Sequence, residues 1–217
     1  MESISTDRVL LINKPLEWTS FDVVNKLRYK LKMKKIGHAG TLDPLATGLL
    51  IICTGKMTKR IEEFMGLEKE YTGKIVIGQT TPSHDLETEV STPVDVSHIA
   101  PEHIQSAARQ LTGKIQQVPP AHSAIKIGGK RAYALARKGK DPELKPRDVE
   151  VSVFDIVSYN QPVIEFRIVC SKGTYIRSLV RDLGEILGVG AYLSQLCRTR
   201  IGPYKLDDSL GLEEVTV

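Results

Sequence analysis

Cysteine and tryptophan are scarce in this chain: 217 residues hold three of the first and one of the second. Cys53, Cys170 and Cys197 stand far apart, form no C-x-x-C and share no histidine at zinc spacing. Neither a disulfide framework nor a structural zinc site is therefore expected, and reduced thiols in a cytoplasmic protein are. No stretch approaches the roughly 18 continuous apolar residues of a membrane span. Met1 to Leu11 has neither the basic region nor the cleavage site of a secretory leader, so no export signal is expected. The glycine–lysine spacing from Gly48 to Lys56 is wrong for a phosphate loop. His38 has no second histidine or acid at metal-binding distance along the chain. The chain thus calls for no nucleotide, no metal and no other cofactor. It also lacks repeats, low-complexity tracts and any proline- or serine-rich linker, so one domain over residues 1–217 is expected.

What is present is ordinary globular composition, 41% hydrophobic and 26% charged, with a net charge of only +4. The distribution of that charge says more than its sum. Residues 26–35 (KLRYKLKMKK) hold six basic and no acidic side chains, and residues 121–147 hold eight basic and two acidic. Residues 61–110 run the other way, with nine acidic and three basic. Two cationic blocks on an otherwise acidic chain suit a polyanion held against one face, although a lysine run can also simply solvate a surface.

Val9–Ile12 reads as a short strand, closed by Asn13-Lys14-Pro15. Thr19 or Ser20 caps a helix, with Asp22 at capping-box spacing from Thr19 and Val24, Leu27 and Leu31 as its apolar stripe. A glycine-punctuated loop follows from Gly37 to Gly48, then an apolar strand Leu49–Cys53 and a strand Tyr71–Gly78. Residues 79–97 read as loop, and Pro101 opens a helix through Leu111 that Gly113 closes. Residues 119–147 read as a basic protrusion, partly helical around Tyr133 to Arg137. Val149–Tyr159 and Val163–Ser171 look like paired strands, and Thr174 starts a helix with Ile176, Leu179, Val180, Leu183 and Leu187 on one face and Gly188 at its end. The mixture lacks a βαβ rhythm and favours an α+β fold with a largely antiparallel sheet.

Three stretches could carry chemistry. In GHAGTLDPLATG, residues 37–48, three glycines allow close approach by a ligand, and Pro44 biases Asp43 away from helix. A lone carboxylate on a loop before a buried strand is a candidate catalytic group, or else an ordinary turn residue before proline. Arg177 stands at a strand-to-helix junction, four residues from Arg181. It could fork onto a partly buried carboxylate, or pair at the surface with Asp182 or Glu185. Tyr71 could stack on a base, or serve only as a core tyrosine.

Together GHAGTLDPLATGLL, KEYTGKIVIGQTT, and KGTYIRSL followed by RDLG resemble the bacterial-type tRNA pseudouridine-55 synthase family, TruB. The resemblance runs from Leu10 to about Tyr204. It implies the pseudouridine synthase fold and the isomerisation of uridine 55 in the TΨC arm of tRNA, by base flipping and an essential aspartate. It implies roles at matching positions: Asp43 as the catalytic aspartate, Tyr71 as the aromatic stacked on the target base, and Arg177 as the arginine paired with the aspartate. His38 would hold flipped-out nucleotides, Asp85 would lie near the active site, Leu196 would line the pocket, and Lys14 would support the catalytic loop. The basic segment 121–147 falls where the family has a thumb-like insertion, which makes Lys126, Lys130 and Arg131 candidate contacts to the TΨC stem-loop. A monomer acting in the cytoplasm without a protein partner is expected. Two features depart from the family. Glu17 stands where the Lys-Pro motif usually has glycine, and the chain stops where many relatives continue into a PUA-type domain, so none is expected here. Two rivals remain: a synthase of this type acting on other RNA, and a non-catalytic RNA-binding protein.

Overall fold

The computed structural model describes residues 7–123, 126–127, 130–132 and 144–216. The chain divides into two compact units, residues 1–72 with 195–217, and residues 73–194.

The first unit is organised by one apolar strand. β1 (Val9–Lys14) runs antiparallel to β3 (Ala46–Thr54), from Val9 opposite Cys53 to Lys14 opposite Gly48. The other edge of β3 is shared. β2 (Ile36–His38) pairs antiparallel with its last residues, and β10 (Ala191–Ile201) pairs parallel with its first three, Leu196 opposite Ala46 and Arg198 opposite Gly48. Both faces of β3 are covered, which explains its unbroken apolar run. Leu50 and Ile52 pack with Leu10, Ile12, Val23, Leu27 and Leu212. Leu49, Ile51 and Cys53 point the other way, onto Ala39, Phe64 and Ile201. Helix α1 (Ser20–Lys30) supplies Val23, Val24 and Leu27 to the first layer, and α2 (Ile61–Gly66) supplies Phe64 to the second. The capping box at α1 forms as its spacing predicts: Asp22 N–H donates to Thr19 Oγ1 at 3.0 Å, and Thr19 N–H donates to Asp22 Oδ2 at 2.9 Å.

In the second unit, β8 (Arg147–Asn160) and β9 (Val163–Cys170) form a long antiparallel hairpin, with a cis Gln161–Pro162 bond at its turn. The strand order is β4-β9-β8-β5, where β4 is Lys69–Ile77 and β5 is Gly113–Gln117. Helix α3 (Pro101–Gln110) lies against β8, and α4 (Ile176–Ile186) turns Ile176, Leu179, Val180 and Leu183 inward. β6 (Lys126–Ile127) and β7 (Lys130–Arg131) form a separate two-stranded pair. The pairs β1–β3, β2–β3, β5–β8, β6–β7 and β8–β9 are antiparallel and β3–β10 is parallel, and four α-helices are described; the fold is α+β, as the pattern predicts.

Several local expectations fail for physical reasons. The glycine-rich loop is shorter at both ends, because Ile36–His38 and Ala46–Gly48 are drawn into the sheet. Gly113 does not cap α3, which closes at Leu111; it opens β5 with φ +96°. Thr174 does not start α4: the helix begins at Ile176 with Tyr175 as its N-cap residue. β10 is not foreseen by the hydrophobic pattern, because a buried arginine interrupts its apolar alternation.

Candidate active site

Asp43 sits on the segment that leaves β2 and enters β3, and the residues on either side of it are tied down. Ser20, at the start of α1, accepts from Leu42 N–H at 2.9 Å and its hydroxyl lies 3.2 Å from Leu42 O. Pro44 O accepts from Glu17 N–H at 2.9 Å and from Lys14 Nζ at 3.3 Å. Ala46 N–H closes the turn onto Asp43 O at 3.1 Å. The polypeptide around Asp43 is thus fixed from β1, the β1–α1 turn and α1, which leaves a half-buried carboxylate on a rigid support.

Its surroundings are cationic. Lys14 is fully buried, and its ammonium also donates to Pro15 O at 2.9 Å and Trp18 O at 2.6 Å. Burial lowers its pKa to about 8; the Asp43 carboxylate acts against that shift and the Arg198 charge adds to it. His38 is held below the usual imidazole range, first by burial and then by Arg198, with a hydrogen bond from its ring to the Gly40 backbone opposing. It is therefore neutral at neutral pH, and its Nδ1 has no partner among the described residues. Leu196 is half-buried and pairs with Ala46 where the loop enters the sheet. Tyr71 is buried on β4. The structure therefore brings Lys14, His38, Asp43 and Leu196 together in the first unit, and adds Ser20 and Arg198. Ser20 was visible only as a possible helix cap. Arg198 gave no signal, because nothing in a strand sequence marks which arginine is buried.

In the second unit Arg177 and Asp85 are both buried and meet at 3.5 Å, Nε to Oδ2. Arg177 Nη1 donates to Ser83 O at 3.2 Å and Nη2 to His122 O at 2.9 Å. Asp85 Oδ1 accepts from Glu87 N–H at 2.9 Å, and Thr81 Oγ1 donates to Asp85 O at 2.6 Å. Arg181 takes the surface pairing considered for Arg177, bonding Asp182 at 2.6 Å and lying 3.8 Å from Glu185. Beside them, burial lowers His84 to about 4, helped by the charges of Arg181 and Arg177. The start of α4, where Arg177 sits, is held by Gln117: its Nε2 donates to Tyr175 O at 3.1 Å, and its Oε1 accepts Tyr175 N–H at 2.8 Å.

The side chains of Lys126, Lys130 and Arg131, with most of the basic segment, lie outside the described residues. No group of three or more His, Cys, Asp or Glu able to hold a metal ion occurs among the described residues.

Residues 28–176 match the TruB family pseudouridylate synthase N-terminal domain, and residues 177–217 match the tRNA pseudouridylate synthase B C-terminal domain. The chain belongs to the TruB family.

Among TruB relatives, it is 54% identical to the tRNA pseudouridine synthase B of Phocaeicola vulgatus, over 94% of this chain and 90% of that one. It is 52% identical to the protein of the same name from Parabacteroides distasonis, over 95% and 91%. Among solved structures it resembles a chain in the crystal structure of a Cbf5-Nop10-Gar1 complex, with a TM-score of 0.75 and 29% identity. That match covers 96% of this chain and 53% of the other, so the TruB-family chain spans about half the length of that relative.

Proposed function

We propose that this TruB-family protein is a tRNA pseudouridine synthase that isomerises uridine 55 in the TΨC stem-loop, acting in the cytoplasm as a monomer. The observation that carries the reading is 54% identity to a curated tRNA pseudouridine synthase B over 94% of the chain. Asp43 is assigned as the essential carboxylate and Tyr71 as the platform for the base. Arg177 gives electrostatic support, and His38, Asp85, Leu196 and Lys14 shape the surroundings. Lys126, Lys130 and Arg131 are assigned to the RNA backbone.

The chemistry suits these residues. Pseudouridine formation breaks the N1–C1′ bond, turns the uracil and joins C5 to C1′; the C5 proton is lost and N1 gains one. Nothing is oxidised and no group is imported, so an anionic oxygen and a shaped cavity suffice. The target base must leave its stack, at about a few kcal/mol, and stacking on an aromatic returns about 1–3 kcal/mol. Action on other RNA is the weaker reading, because identity to the chain in the Cbf5-Nop10-Gar1 complex falls to 29%.

The decisive experiment incubates the purified protein with unmodified tRNA transcript and maps pseudouridine at single-nucleotide resolution. Modification confined to position 55 is the expected result, and modification elsewhere or none would overturn the reading. Asp43→Asn should abolish turnover while tRNA affinity stays within roughly threefold, the mark of a group that acts on the chemical step. Substantial residual turnover by that variant would remove Asp43 from its role.

A further inference from the structure

We propose that Arg198 is a positioning residue for the isomerisation: it holds both ends of the Asp43 loop and so aims the carboxylate. This rests on the activity proposed above. Arg198 is 1% exposed and heads the fully buried side chains by volume. Its Nε donates to Leu49 O at 2.8 Å and its Nη2 to Gly40 O at 3.1 Å. Those two carbonyls stand just beyond the exit and just before the entry of the segment that carries Asp43. Arg198 also meets the loop through its backbone. It is opposite Gly48 in the parallel register, and a Cβ on Gly48 would lie 2.7 Å from Arg198 N. Gly48 and Gly40 have φ of +102° and +97°, backbone angles that favour glycine at both, and at Gly48 a side chain would also collide with the Arg198 backbone.

The energetics point to a purpose beyond packing. Among the described residues, the Arg198 side chain bonds only to these two carbonyls. A buried guanidinium without a bonded carboxylate is costly, and two carbonyls could be bridged by a neutral amide. What a neutral bridge could not supply is the charge, which reaches Lys14 from β1 and His38 from β2. Both face the loop, where Asp43 is the neighbouring acid and Asp22 of α1 acts more weakly on Lys14. Arg198 therefore fixes the loop's shape and favours an uncharged His38.

The test compares wild type with Arg198→Met, Arg198→Lys and Arg198→Gln, using unmodified tRNA. Rates are single-turnover and expressed per folded molecule across a pH series, and amide exchange is followed over residues 39–49. A misplacement of about 1 Å can lower a rate roughly hundredfold, so Arg198→Met should lose about that much with KM within about threefold. Arg198→Lys, which keeps the charge without the fork, should stay about tenfold down yet retain the wild-type acid limb. Arg198→Gln should move that limb to higher pH, because His38 then takes a proton more readily. Exchange over 39–49 should quicken in Arg198→Met and Arg198→Lys and less in Arg198→Gln, whose neutral amide can still bridge the carbonyls, while Val23 to Leu27 in the same unit stays protected. Rates per folded molecule within about threefold of wild type, a loss carried wholly by KM, or unchanged loop exchange would each overturn the proposal. Wild-type protein that makes no pseudouridine would instead defeat the proposed activity, and the exchange data would still report on the loop.

Discussion

Glu17 holds a left-handed backbone conformation, φ 66°, in the turn between β1 and α1, and its N–H supports Pro44 O. A non-glycine residue there costs about 1–2 kcal/mol, while glycine gains about 0.4–1 kcal/mol of unfolded-state freedom. Glu17→Gly should accordingly raise the unfolding free energy by about 0.5–1 kcal/mol in urea titrations, and the β-branched Glu17→Val should lower it by more than about 1 kcal/mol. A Glu17→Gly protein less stable than wild type would show that the glutamate side chain, not its backbone, matters. His84 also has positive φ, 61°, and burial holds its pKa near 4 against an ordinary 6.5. Below pH 6.5 the unfolded chain takes up this proton before the folded one does. The associated stability is complete above that pH and is lost as pH falls toward 4. His38 is shifted in the same direction. His84→Asn tolerates the backbone and removes the titration, so its stability should vary less between pH 4 and 6.5 than that of wild type; identical slopes would assign the acid lability elsewhere.

Helix α4 shows what a single element owes to distant chain. Its N-cap residue, Tyr175, has no side-chain cap, and Thr174, the local candidate, hydrogen-bonds back to Ser171 O at 3.0 Å. The capping is done by Gln117, 58 residues away and fully buried, which satisfies both backbone groups of Tyr175. Gln117→Ala would leave the half-buried Tyr175 N–H unpaired, while Tyr175 O keeps its bond from Leu179 N–H at 3.2 Å. Calorimetry should show a loss of about 1–3 kcal/mol, and turnover should fall because Arg177 rides on the same helix turn. A loss under about 0.5 kcal/mol would mean that water replaces the amide. Strand β3 is the opposite case: alternate residues enter two different cores, so its continuous apolar run announced a doubly covered strand directly.

At the scale of the whole molecule, the first cationic block is partly tied down by its own chain. In residues 26–35, Lys26 and Lys30 pair with Glu213 at 3.0 and 3.4 Å, and Arg28 bonds Asn25. Lys34 and Lys35 remain exposed. Reversing that pair to glutamate should weaken tRNA binding at low salt and flatten the dependence of log affinity on log salt by about one for each phosphate no longer neutralised. Turnover at saturating tRNA should hold; an unaltered salt slope would reduce the run to a solvated surface.

Local pattern was enough for the α+β class, the capping box of α1, both arms of the β8–β9 hairpin and the Asp43 loop, because each is written in residues close together in the chain. The family followed from three short strings in a fixed order. Tertiary structure alone decided that Arg198 reaches Gly40 across 158 residues, that Gln117 caps α4, and that Arg177 lies beside Asp85. Hydrophobic periodicity records which side chains turn inward, but it does not say which distant polar groups then meet. That pairing is set only when the strands take their register and the buried donors must find acceptors.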